Sequence, residues 1–261
     1  MSEAVLVAVA DGIATVSLNR PEVMNALDDS SMFALRAITE RLQHDTSVRV
    51  VVLRGEGAAF CAGGDVALFH KDIDALPDTV VRIGREMHCA FLALRRSPKP
   101  VIAVVHGVVA GAGFSLLCAA DLAIAAADTR FTLAYAGIGA SPDGGSSHFL
   151  PRLAGYKRAM QLALLPDMFD AATAMAYGVV NWISPAADLA ADAQRLVRRL
   201  ANGPTRAYAE AKQLMNDSLG TSIETQMEHE LAAFARCART ADLREGVAAF
   251  VEKRKPVFRG Q

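Results

Sequence analysis

Cysteine is scarce in this chain of 261 residues: its four copies, Cys61, Cys89, Cys118 and Cys237, stand far apart and form no C-x-x-C pair. That spacing argues against a disulfide framework and against a zinc site, so the thiols read as reduced and mostly buried and no metal is expected. Excess charge of either sign is also lacking, because 27 basic and 28 acidic residues leave a formal net charge of -1. Without a broad basic field, neither nucleic acid nor an anionic membrane is an expected partner, and any anion must be held locally. Long hydrophobic runs are missing as well. Stretches such as 101–105 are interrupted by glycine or charge long before they could cross a bilayer. Met1-Ser2-Glu3 leads directly into a strand-like run without the basic and apolar regions of a secretory signal, so a cytoplasmic location is the expectation. No internal repeat or low-complexity tract stands out.

What is present is a composition 52% hydrophobic and 21% charged, enough for one large domain with a substantial core, or one domain and a small appendage. Residues 5–10 and 13–19 are apolar and β-branched runs separated by Asp11-Gly12, which predicts a hairpin. Asp28 or Asp29 can cap a helix that runs to His44, with Met32, Leu35, Ile38 and Leu42 at helical spacing. Residues 48–53 and 101–105 read as strands covered on both faces, with a helix over 79–94 between them. Another apolar helix is expected over 114–119, a short strand over 121–125, and an ordered loop over 135–145. The alternation predicts an α/β architecture with ligand groups on loops that follow strands. From about residue 188 Ala, Leu, Arg, Glu and Met dominate, and helices are expected over 194–200, 205–215, 223–235 and 243–253. No Gly/Ser linker marks the change, so these helices should pack on the core or on a neighbouring subunit.

Two glycine loops follow buried strands about fifty residues apart. In Phe60-Cys61-Ala62-Gly63-Gly64-Asp65 the adjacent glycines allow close approach of a ligand to backbone N–H groups, and Asp65 is placed to cap the next helix. In His106-Gly107-Val108-Val109-Ala110-Gly111-Ala112-Gly113-Phe114 the chain enters a helix whose first N–H groups lack internal partners. A dinucleotide fingerprint fails here because Leu116 stands where its third glycine belongs, and a serine-hydrolase elbow fails because Gly113-Phe114-Ser115 is followed by two leucines. Each loop alone reads equally as a tight turn. Two together are what a pair of convergent main-chain donors needs.

At this point the chain closely resembles the enoyl-CoA hydratase/isomerase, or crotonase, superfamily. The matching pieces are Asn19-Arg20-Pro21 with Asn25-Ala26-Leu27, the two glycine loops, 121–125, Ser141-Pro142-Asp143-Gly144-Gly145, and the tail 250–255. The resemblance implies a crotonase-like α/β spiral of ββα units. Residues 1–190 would form the spiral core with the CoA site and oxyanion hole, and 191–261 a C-terminal helical region that builds a homotrimer or hexamer. It also implies an acyl-CoA thioester as substrate, with coenzyme A part of that substrate and no separate cofactor. By position the oxyanion donors are the N–H groups of Gly64 and Ala112. The two glutamates of the family's hydratases fall at Ser115 and Tyr135, which cannot act as a carboxylate pair. Asp143 matches the acid of the family's double-bond-shifting and ring-rearranging isomerases, so it is the expected proton shuttle, at least partly buried in an apolar pocket. Phe250 and Lys253 are implied at the CoA nucleotide, across a subunit interface; Ala62, Asp65 and Val66 border the adenine, and Val23 lies beside the pantetheine. The leading expectation is 3-enoyl-CoA to 2-enoyl-CoA isomerisation. A hydratase with an atypical acid/base and a non-catalytic CoA-thioester binding protein are the alternatives. His106, His148 and Cys61 read as structural, Tyr135 as pocket or core, and Ser115 as a small wall residue. Met227, Leu231 and Phe234 read as a core or trimer stripe.

Overall fold

In the computed structural model, which describes residues 3–261, strands β1 (Val5–Ala10) and β2 (Ile13–Leu18) form an antiparallel hairpin. Asp11 and Gly12 take φ of 52° and 75°, the left-handed pair a two-residue type I′ connection requires. Helix α1 (Asp29–His44) starts where the Asp28 carboxylate accepts from the Ser31 N–H at 2.8 Å. Met32, Leu35 and Leu42 then recur on its buried face.

Strand β3 (Val50–Gly55) lies two residues beyond the expected start, because the Arg49 and Val50 N–H groups both donate to the Gly12 carbonyl before the ladder opens. With β4 (Val101–Val105), β6 (Leu122–Ala126) and β9 (Trp182–Ser184) it completes a six-stranded sheet, ordered β1-β2-β3-β4-β6-β9 and parallel from β2 onward. The sheet is covered on both faces, as the runs predict. Val51 and Leu53 point into the main core, while Val50 and Val52 meet Val197 and Ala201 of the helix Leu189–Ala201 on the other face. That helix covers the sheet at its full length, beginning before residue 194.

A second layer explains how the glycine segments come together. Strands β5 (Val108–Ala110), β7 (Arg130–Thr132) and β8 (Phe169–Asp170) form a small sheet. Beyond β5, Cys61 pairs with Val109 and Gly64 pairs with Leu27 through parallel bridges. Each strand of the large sheet from β2 to β6 is thus followed by residues paired in this layer, at Leu27, 60–64, 108–110 and 130–132. Helices α2 (Val66–Lys71), α3 (Leu76–Arg96) and α4 (Gly111–Ala119) return the chain between passes. The expected glycine loop at 107–113 is therefore a strand and the first turn of a helix. All nine residues of α4 are buried, consistent with a sequence apolar on every side.

Helices α5 (Ser146–Ala154), α6 (Tyr156–Leu164) and α7 (Ala171–Ala176) precede β9, and α8 is the Leu189–Ala201 helix. Helices α9 (Thr205–Asp217), α10 (Ile223–Cys237) and α11 (Ala241–Val251) close the chain. Two partly buried cations tie this end to the sheet. Arg49 donates to the Gly203 carbonyl and Thr205 hydroxyl, and Lys212 donates to the Asp121 carboxylate at 2.7 Å and the Leu94 carbonyl at 2.8 Å. Met227, Leu231 and Phe234 are exposed, so that stripe is not core of the single chain. Among the described residues no helix is long and apolar enough to cross a membrane.

Candidate active site

Two open main-chain donors arise from one turn of register. The Cys61 N–H donates to the Val108 carbonyl at 3.1 Å and the Ala110 N–H to the Cys61 carbonyl at 2.9 Å, which locks Cys61 opposite Val109. Gly64 and Ala112 each lie three residues beyond that bridge. The Gly63 carbonyl accepts from the Leu27 N–H at 2.7 Å, and since carbonyl and N–H point in opposite directions across a trans peptide, the Gly64 N–H faces away from Leu27. Gly63 makes this turn at φ 107°, and a Cβ there would lie 3.2 Å from the Ala110 carbonyl oxygen. Gly113 is required by contact: its Cβ would sit 2.5 Å from the Cys61 carbonyl oxygen. Ala112 is in the first turn of α4, where N–H groups have no intrahelical acceptor and the helix dipole is positive. Among the described residues neither the Gly64 nor the Ala112 N–H has a hydrogen-bond partner. Both line one cavity of about 870 Å³.

Asp143 lines the same cavity and, among the described residues, is the one carboxylate that does. Gly144, at φ 59°, lets its loop press on α4, since a Cβ there would lie 2.7 Å from Ser115 Cβ. The Ser115 hydroxyl donates to the Asp143 carbonyl at 2.9 Å and meets the Tyr135 hydroxyl at 3.0 Å. Tyr135 in turn donates to Asp143 Oδ1 at 2.5 Å. One carboxylate oxygen is thereby held and the other is left for a ligand. Ala134, which sets the Tyr135 direction, has φ 59°, a strained value for a residue with a Cβ.

Asp143 is exposed as a whole residue, because the cavity is open in the single chain, while its carboxyl group is partly desolvated, as expected. The walls still remove enough water to push its carboxyl above the usual range, against the Tyr135 hydrogen bond and the nearby His88, which favour its charged form. Burial and the Asp143 charge push the Tyr135 phenol far up, so it remains a protonated donor. Cys61 is buried, its thiol pushed up to about 12 by desolvation, which makes it packing rather than a nucleophile.

Of the positions read from the sequence, Gly64, Ala112, Asp143, Ala62 and Val66 converge on this cavity. Val23, Asp65, Phe250 and Lys253 do not line it. Asp65 does not cap α2 with its side chain; its carboxylate is drawn instead to Arg20 at 3.0 Å, and Arg20 also donates to the Ala26 carbonyl. Phe250 is 86% exposed and stands outside this cavity. Sequence reasoning missed Arg85 and His88 and the apolar wall from Phe69 to Val81. Their spacing along α3, at 77, 81, 84/85 and 88, is the helical stripe that reveals them.

The sequence model of the family described as enoyl-CoA hydratase/isomerase matches residues 8–261. The chain is 37% identical to the 1,2-epoxyphenylacetyl-CoA isomerase of Escherichia coli, over the full length of both. It is 33% identical to the trans-2-decenoyl-(acyl-carrier-protein) isomerase of Streptococcus mutans, over 98% of each chain. The crystal structure of an enoyl-CoA hydratase from a Polaromonas species superimposes with a TM-score of 0.93 at 32% identity, covering 98% of this chain and 99% of that one. With its layered ββα spiral, its paired open amides and these likenesses across its whole length, the chain belongs to the enoyl-CoA hydratase/isomerase family and has the crotonase fold.

Proposed function

We propose that the protein is an acyl-CoA isomerase that moves a double bond from the 3,4 to the 2,3 position with Asp143 as its proton shuttle. The observation that carries this reading is a single carboxylate facing the cavity of the two open amides. The free oxygen of Asp143 takes the α-proton of a 3-enoyl thioester. The electron pair moves onto the carbonyl oxygen, which the Gly64 and Ala112 N–H groups hold. Each such donor contributes roughly 3 to 4 kcal/mol when aimed at developing charge. Asp143 then returns the proton to the γ-carbon as the carbonyl re-forms, leaving a conjugated 2-enoyl thioester. The carboxylate ends as it began, so one suffices and no cofactor beyond the substrate's own coenzyme A is consumed.

Hydration would need a group to activate water and another to protonate carbon. Ser115 and Tyr135 stand where the family's hydratases place their glutamates, and here both are engaged with Asp143. Ala62 and Val66 remain at the CoA end of the cavity by resemblance. The roles of Val23, Asp65, Phe250 and Lys253 toward coenzyme A belong to the same proposal, the last two in a homotrimer or hexamer. The exposed Met227, Leu231, Phe234 and Phe250 supply an apolar face for such an assembly. Incubation with 3-hexenoyl-CoA and with crotonyl-CoA, followed by product identification, tests the reading. Rapid 3-to-2 isomerisation with little hydration is expected. Brisk hydration of crotonyl-CoA overturns it in favour of a lyase, and tight thioester binding without turnover of either overturns it in favour of a binding protein.

A further inference from the structure

One glycine of the cavity has no structural reason to be glycine. Gly84 lies inside α3, its backbone is not in the left-handed region, and a Cβ built on it meets no atom within 4 Å. Neither conformation nor packing demands it, and glycine weakens a helix interior relative to almost any other residue. What its missing side chain does supply is room inside the cavity, which Gly84 lines together with Val80, Val81 and His88.

The wall on either side shows what fills that room. His88 lines this cavity with Asp143 and a second pocket with Gly144, the residue after Asp143, so the His88 end of the stripe is the reacting end. From there the stripe runs through Gly84 to Val81, Val80, Leu76 and Ile73, with Ile138 also lining the cavity. Val80, Val81, Ile73 and Ile138 are all substantially exposed in the free chain, an uncovered apolar surface continuous with the site. Among the described residues Arg85 is the one arginine or lysine lining the cavity, and it stands on the His88 side of Gly84; beyond Gly84 the wall offers the polyanionic end of a CoA thioester no counter-charge. An apolar acyl tail does match it. From His88 to Val80 the helix axis advances about 12 Å, at roughly 1.5 Å per residue.

We propose that Gly84 is a size determinant that admits a bulky apolar acyl group, a medium-length chain or an aromatic ring, along α3. The proposal rests on the isomerase reading for its choice of substrates but makes a separate claim about where the acyl tail lies. A Cβ at this position meets no protein atom within 4 Å, and a leucine there would take up room in the cavity that Gly84 lines. One methylene in an apolar pocket changes discrimination by about 10- to 200-fold, and a leucine removes room for several.

The test compares the wild type with Gly84→Leu and Gly84→Ala. Calorimetric binding of decanoyl-CoA and butyryl-CoA reads the groove without any reaction, and kcat/KM for 3-decenoyl-CoA against 3-butenoyl-CoA reads it in turnover. In Gly84→Leu the ratio of decanoyl to butyryl affinity should fall at least about tenfold, with Gly84→Ala intermediate and neither variant melting below the wild type. A ratio unchanged within about twofold in both variants overturns the size role. A wild type that binds decanoyl-CoA in preference to butyryl-CoA and loses this in Gly84→Leu, yet isomerises neither 3-enoyl thioester, upholds the groove while defeating the isomerase reading.

Discussion

Replacing Tyr135 by Phe removes one hydroxyl and, with it, the 2.5 Å hydrogen bond to Asp143 Oδ1. Ser115 keeps its own bond to the Asp143 carbonyl at 2.9 Å, so the loop stays in place and the change is confined to the carboxylate. The sign follows from what the bond stabilises. Tyr135 favours the charged form of Asp143, against the desolvation that disfavours it, so its loss must raise the pKa of a carboxyl already above the usual range. A hydrogen bond to an ionised acceptor contributes about 1.5 to 3 kcal/mol, and 1.36 kcal/mol corresponds to a factor of ten in proton affinity. Because Asp143 is open to solvent the lower end applies, and the acid limb of the pH profile should move up by about one pH unit. The assay is kcat/KM for 3-hexenoyl-CoA isomerisation from pH 4 to 9. Below the limb the variant should be slower, because fewer molecules carry the charged base. On the plateau it should lose less than Asp143→Asn loses, because the base remains. An acid limb that stays where it is, or moves to lower pH, would refute the claim that the base is Asp143 and that Tyr135 tunes it.

Asp143→Asn should keep acyl-CoA affinity and lose about 10² to 10⁴ in turnover, the usual worth of a positioned acid/base, by steady-state kinetics and calorimetry. Its stability carries a second sign. Burial raises the folded-state pKa of Asp143, so the charged form opposes folding above that pKa; the variant should melt no lower than wild type at pH 7, and any gain should vanish as pH falls through it. A lower melting temperature at pH 7 would show that the carboxylate is structural. Lys212→Ala should destabilise the fold by about 3 to 5 kcal/mol in urea unfolding, because it strands the Asp121 carboxylate and empties two carbonyl contacts. A loss under about 1 kcal/mol would mean that Arg95 or water replaces it. Maleimide labelling of the folded protein, read by mass spectrometry, should spare Cys61 and Cys118, whose thiols burial pushes up to about 12, and reach Cys89 and Cys237 first. Early labelling of Cys61 would contradict its reading as packing.

Much of the fold is legible because local signals and tertiary demands agree. Asp11-Gly12 between β-branched runs encodes the hairpin, and the uninterrupted apolar run of 50–53 encodes a strand buried on both faces. The second layer is harder to read. Leu27 and the segment at 60–64 are held by isolated bridges whose partners lie tens of residues away, and such pairing leaves no period in the sequence. Asp65 misleads for a related reason: its type and position suit an N-cap, but Arg20, far away in sequence, competes for the carboxylate. The positions of Gly64, Ala112 and Asp143 emerge from resemblance, whereas the Tyr135–Asp143–Ser115 network needs coordinates, because it joins two loops through the middle of α4.

The site separates into a part made by register and a part made by side chains. The two amides follow from Cys61 lying opposite Val109, with Gly63 and Gly113 permitting the close approach, and any residue that preserves that backbone leaves the donors in place. Alanine at 112 is one such residue. The acid/base chemistry has no such origin. It depends on which side chains project from α4, from the turn at 135 and from the loop at 143, and these can change without disturbing the ladder. A scaffold so divided stabilises an oxyanion regardless of the reaction that produces it. That division accounts for isomerases and hydratases both resembling this chain over nearly their full length. On the proposed reading, the reaction is decided by three positions. Here serine, tyrosine and aspartate occupy them, and they spend their hydrogen bonds on holding one carboxylate rather than on binding a water between two.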